Sequence, residues 1–129
     1  MNLISFTKQA YSQGGGSFNL FNGTINPTDG YMVAMEGAEQ KVNINPRLKD
    51  EHKIKELTNI VFRYISGIDI FDRWYNNPNA YLGLWYSDEM WYLDLSENIE
   101  GELIAIDLGN GRKQLAIWDC KNNREIRLK

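Results

Sequence analysis

A chain of 129 residues has room for one domain and no more. Its composition, 43% hydrophobic and 24% charged, excludes wholesale disorder, and a net charge of −3 excludes an acidic DNA mimic and does not by itself suggest a nucleic-acid binder. One cysteine and one histidine exclude an internal disulfide and a zinc site of the usual Cys/His composition.

No apolar run approaches the ~18 residues of a membrane span. The start, Met-Asn-Leu-Ile-Ser-Phe-Thr-Lys, lacks the charged-then-apolar order of a signal peptide. A cytoplasmic protein with no membrane partner is the expectation. Charge is unevenly spread. Residues 67–108 carry one basic residue, Arg73, against nine acidic ones, whereas residues 109–129 carry six basic against two acidic. Eight of the sixteen aromatic residues fall in the acidic stretch.

Residues 2–6 read as a short strand, broken by Gly14-Gly15-Gly16. Ser17 to Phe21 reads as a second strand. Asn22-Gly23 and Asn26-Pro27-Thr28-Asp29-Gly30 carry turn chemistry, since Asn and Asp bond their own backbone and Gly accepts positive φ. Tyr31 to Met35 is the returning strand, stopped at Gly37. Asn45-Pro46 fits a helix start. Ile54, Leu57, Val61, Tyr64 and Ile65 then make one apolar stripe, which predicts a helix over about 47–66 with Gly67 as its cap.

Residues 67–80 read as irregular, because Pro78 cannot donate within a sheet. Tyr81 to Tyr86 and Met90 to Leu95 form a hairpin around a loop of about three residues, Ser87-Asp88-Glu89. Alternation places Leu82, Leu84 and Tyr86 on one face of the first strand, and Tyr81, Gly83 and Trp85 on the other. On the second strand Trp91, Leu93 and Leu95 oppose Tyr92 and Asp94. Ser96 offers a helix cap, with Ile99, Leu103 and Ile106 on one face of a second helix ending at Gly109. Gln114 to Trp118 and Glu125 to Leu128 make a final hairpin. The predicted fold is α+β, a mainly antiparallel sheet with two helices in the order β-β-β-α-β-β-α-β-β, the helices covering one face.

Chemistry is sparse. The glycine run precedes a strand and carries no lysine, unlike a phosphate-binding loop. His52 reads as a solvated surface residue that adjacent Glu51 does not face, and Cys120 as an inert thiol. Asp69, Asp72, Asp88, Glu89 and Asp94 accompany tryptophans and tyrosines, a mixture that also occurs in carbohydrate-active sites. The basic residues Arg112, Lys113, Lys121, Arg124, Arg127 and Lys129 could track a phosphate backbone, but the rings that would stack bases lie in the acidic stretch. No motif calls for a metal or a cofactor.

Gly15-Gly16-Ser17-Phe18, Asn26-Pro27-Thr28-Asp29-Gly30-Tyr31-Met32-Val33, Trp91-Tyr92-Leu93-Asp94-Leu95-Ser96 and Gln114-Leu115-Ala116-Ile117-Trp118-Asp119 resemble a group of small proteins carried by bacteriophages, prophages and conjugative elements. The resemblance runs from about residue 14 to Ile126 and rests on structural motifs, so it transfers no catalytic residue. It implies a mobile-element setting, in which small proteins often bind host proteins, including inhibitors of CRISPR effectors and other defence systems. The function expected is therefore a non-enzymatic protein-binding module, with a small carbohydrate-active or nucleic-acid-binding protein as the alternative. Its binding surface is expected at Asp72, Trp74, Tyr75, Tyr81, Trp85, Asp88, Glu89 and Tyr92, because Trp and Tyr dominate binding energy and the acids form a rim. A host protein, for instance a basic nucleic-acid-handling enzyme, or a second copy in a homodimer would meet it.

Overall fold

Asn2 begins the fold: its side chain accepts a hydrogen bond from the Ser5 backbone N–H at 2.8 Å, satisfying one of the orphan donors at a helix start. In the computed structural model, which describes residues 1–129, Leu3–Gln13 form helix α1. The strand expected at 2–6 is thus corrected. Phe6, Thr7 and Ala10 are buried at helical spacing, a stripe that a five-residue window cannot tell from alternation. Gly14, at φ +86°, takes the left-handed conformation that ends the helix.

Strands β1 (Gly15–Asn19), β2 (Tyr31–Ala34) and β3 (Gln40–Val42) follow. Asn19 organises the first turn, its side-chain oxygen accepting from Phe21 N and Asn22 N at 2.8 and 3.1 Å. Helix α2 (Asp50–Ser66) starts three residues later than its stripe predicts. Asn45 instead makes a local turn, its side chain accepting from Arg47 N at 3.0 Å. Gly67 is not a left-handed cap either. At φ −62° and ψ 139° it is an extended break between α2 and a short helix α3 (Ile68–Trp74). Trp74 Nε1 donates to Ile65 O at 2.9 Å and ties the two helix ends together.

Strands β4 (Ala80–Ser87) and β5 (Met90–Ile99) form the long hairpin. Ser87 pairs with Met90, so the loop is two residues, Asp88 and Glu89, both at positive φ. That left-handed pair matches the strand twist without any glycine. Ser96 is not a helix cap. Residues 96–99 continue β5 because all four find ladder partners on β2, and Ser96 and Glu97 also pair with Tyr81 and Ala80 on β4. Tertiary pairing overrides the local cap signal. Helix α4 is Glu102–Gly111, and its buried residues are Ala105 and Gly109 rather than Leu103, which is exposed. Gly109 allows close approach: a Cβ there would stand 2.7 Å from Leu128 Cδ1 and 2.9 Å from Ile117 Cγ2. Strands β6 (Ala116–Asp119) and β7 (Arg124–Arg127) close the chain.

The fold is α+β, but the predicted two-helix order gives way to α-β-β-β-α-α-β-β-α-β-β with four helices. Seven antiparallel strands lie in the order β1-β4-β5-β2-β6-β7, with β3 also on β5. Along one edge β5 meets β4 from Met90 to Glu97. Along the other it meets β3 at Trp91 to Leu93 and β2 at Ser96 to Ile99, leaving a break at Asp94.

All four helices pack on one face. There Phe6, Phe18, Leu57, Val61, Leu82, Leu84, Trp91 and Leu93 make the main core, and Val33, Ala105 and Ile117 a smaller one under α4. Between the two, Arg112 pairs with Glu97 and donates to Val33 O at 3.3 Å. Burial pushes the Glu97 carboxyl up, but hydrogen bonds from Arg112 and Asn77 more than offset this and hold it below its ordinary value. No helix is long and apolar enough to cross a membrane.

Candidate binding site on the open sheet face

The other face of the sheet carries no helix. Strand alternation gives it Ser17 from β1, Tyr81, Gly83 and Trp85 from β4, and Tyr92, Asp94 and Ser96 from β5. Met32 and Ala34 from β2 and Trp118 from β6 continue it. Residues 26–28 stand beside it, and with these side chains, Tyr92 excepted, they line a trough of about 780 Å³. Trp85 lies opposite Tyr92, while Trp118 lies opposite Met32, itself opposite Asn98. The six-residue offset along β5 separates the two tryptophan positions by about 20 Å along the strand.

Trp85 is laid across glycines on two strands. A Cβ at Gly15 would collide with its six-membered ring, and a Cβ at Gly83 would stand 3.0 Å from its Nε1. Resting on backbone, the indole keeps 45% of its surface exposed, and Trp118 keeps 43%. Tyr81 is buried at the trough floor. Tyr92 stands beside Trp85, with Lys41 Nζ 5.7 Å above its ring, close enough for a cation–π contact.

Asp94 is the unusual group. Its carboxylate fills the space a side chain at Gly83 would need. It forms no ion pair, and no donor of the chain hydrogen-bonds to it. Burial, helped by the negative charge of Glu39, raises its pKa to about 6. The other inward carboxylates are paired. Asp119 takes hydrogen bonds from Asn122 Nδ2 at 2.8 Å and Arg124 Nε at 3.1 Å, and these hold its pKa down against the cost of burial.

The expected surface divides. Tyr81, Trp85 and Tyr92 come together on the open face. Asp88 and Glu89 sit at the hairpin tip. Asp72, Trp74 and Tyr75 belong to α3 and its end on the helix-covered side. There Trp74 packs against the main core, while Tyr75 is exposed and stacks on Phe71 at 5.0 Å. Asp94 had a place among the paired acids, but Trp118, Met32 and Ser96 carry no separate signal. For Trp118 the available clue is its alternation with Ile117, yet nothing local says that β6 joins this sheet.

His52 is exposed and, against expectation, reaches Glu51, with Nε2 to Oε1 at 3.6 Å. Cys120 is buried at the trough rim and burial raises its thiol pKa. Four of the six tail cations face carboxylates: Arg112 with Glu97, Lys113 with Glu36, Arg124 with Asp119 and Glu102, and Arg127 with Glu125. No protein-family model matches the chain, and no curated protein or solved structure is significantly similar to it.

Proposed function

We propose that this protein is a non-enzymatic binding module and that it takes an extended segment of a partner protein on the open face of its sheet. The observation that carries this reading is the pair of half-exposed indoles, Trp85 and Trp118, at the two ends of one trough whose middle holds the unpaired Asp94. Large rings held rigidly on strands offer contact area with little side-chain entropy to lose on binding. A span of about 20 Å accommodates about six residues of extended chain.

Two alternatives have less support. Hydrolysis by paired carboxylates requires two acids about 5–9.5 Å apart. Asp88 and Glu89 lie five or more residues along the hairpin from Asp94, about 17 Å at strand rise, and the nearer acid, Glu39, is exposed and does not line the trough. A phosphate-tracking role needs free cations, and most of those in the tail already face acids. Capture of a host defence protein, the role implied by the mobile-element motifs, is one use for such a face.

Partner capture from the native host, read by quantitative mass spectrometry, tests the reading. Trp85→Ala with Trp118→Ala is expected to remove the captured protein, whereas Phe71→Ala with Tyr75→Ala on the far side keeps it. The reverse pattern overturns the assignment of the surface.

A further inference from the structure

We propose that the middle of the trough seats an arginine side chain of the partner segment, with the Asp94 carboxylate as counter-ion and the Trp85 indole as its wall. This deepens the reading above and rests on it. The first ground is satisfaction. Buried or half-buried carboxylates are normally paired, and Glu97 and Asp119 follow that rule here. Asp94 stands alone at the break between β2 and β3.

The second ground is the charge around it. Glu39, before β3, adds negative potential. Lys41 on β3 is held over the Tyr92 ring and makes no ion pair. Of the other charged groups lining the trough, Lys121 and Glu125 are of opposite sign and lie at the β6–β7 end. Tyr64, on α2, is committed to Ala38 O at 2.5 Å. A cation arriving at Asp94 therefore meets a net negative site and relieves the burial that disfavours the charged carboxylate.

The third ground is shape. Trp85 Nε1 and the Asp94 carboxylate converge on the same glycine window, so a flat group stacked on the indole has the acid within reach of its edge. A guanidinium is planar, weakly hydrated and stacks on indole while its N–H fork meets a carboxylate, whereas an ammonium offers only a point charge.

The test is an NMR titration of the whole protein with N-acetylarginine methylamide, read at the Trp85 indole N–H and the Asp94 side-chain carbon. The expected result is saturable movement of both signals and a fall of the Asp94 pKa from about 6. The neutral citrulline counterpart should bind at least about tenfold more weakly, and Asp94→Asn should erase that difference. Equal binding of the two probes, an unmoved Asp94 pKa, or a preference for spermidine over the arginine amide overturns the arginine seat. Those outcomes leave the docking face standing if the Trp85 and Trp118 variants still abolish capture, so the two failures are separable.

Discussion

Asp94 faces Gly83 across the β4–β5 ladder, and its carboxylate occupies the volume that any side chain at position 83 would require. Gly83→Ala must therefore displace the acid, the Trp85 indole, or both. Overpacking of this kind costs about 1–3 kcal/mol. Urea unfolding should show that loss, accompanied by a shift in tryptophan emission.

Asp94 should also weaken the free protein at neutral pH. Its folded pKa of about 6 stands above the 3.8 of a free aspartate, so the folded state holds the proton more tightly. Stability then falls as pH rises from about 4 to 6, and the penalty is complete above that window. Two units set a ceiling of about 3 kcal/mol, lowered because the side chain is partly open to water. Asp94→Asn is expected to stabilise by about 1–2 kcal/mol at pH 7.5, with most of the gain gone near pH 4, in thermal melts across that range. A site that is more stable without its acid is the pattern of a residue kept for binding.

The Glu97–Arg112 pair should behave in the opposite sense. Glu97 has a lowered pKa, so its contribution is present above the ordinary carboxylate range and is lost as pH falls through the depressed value. Arg112→Ala strands the acid between the two cores and should cost about 2–3 kcal/mol at neutral pH. The deficit relative to wild type should shrink in acid, as measured by denaturant midpoints at several pH values.

Trp74 and Trp85 should separate cleanly. Trp74 packs on the main core and donates to Ile65 O, so Trp74→Ala should cost about 2–3 kcal/mol. Trp85 lies on the surface of the sheet, and Trp85→Ala should cost no more than about 1 kcal/mol. Equilibrium unfolding of the two single variants decides this before any binding experiment is interpreted.

The hairpin was legible in the chain because its alternation is local. Tyr81, Gly83 and Trp85 separate from Leu82 and Leu84 by period two alone, and Tyr92 and Asp94 separate from Trp91 and Leu93 in the same way. What brings Trp118 onto this face is a chain of non-local pairings, β6 to β2 and β2 to β5, that no short window encodes. The short helix α3 has only seven residues, too few for periodicity to show which side Trp74 takes. Ser96 to Ile99 carry cap-like residues, and only their pairing with β2, joined by β4 at Ser96 and Glu97, makes them strand. The opening helix was legible in principle, from Asn2 at one end and Gly14 at the other, when the two signals are read together over its eleven residues.

Photocrosslinking in the native host tests the central claim most directly. A benzophenone amino acid placed at Tyr92, beside the trough, is compared with the same group at Tyr75 on the helix-covered side. The account predicts a partner adduct from position 92 and none from position 75; an adduct confined to position 75 would contradict it.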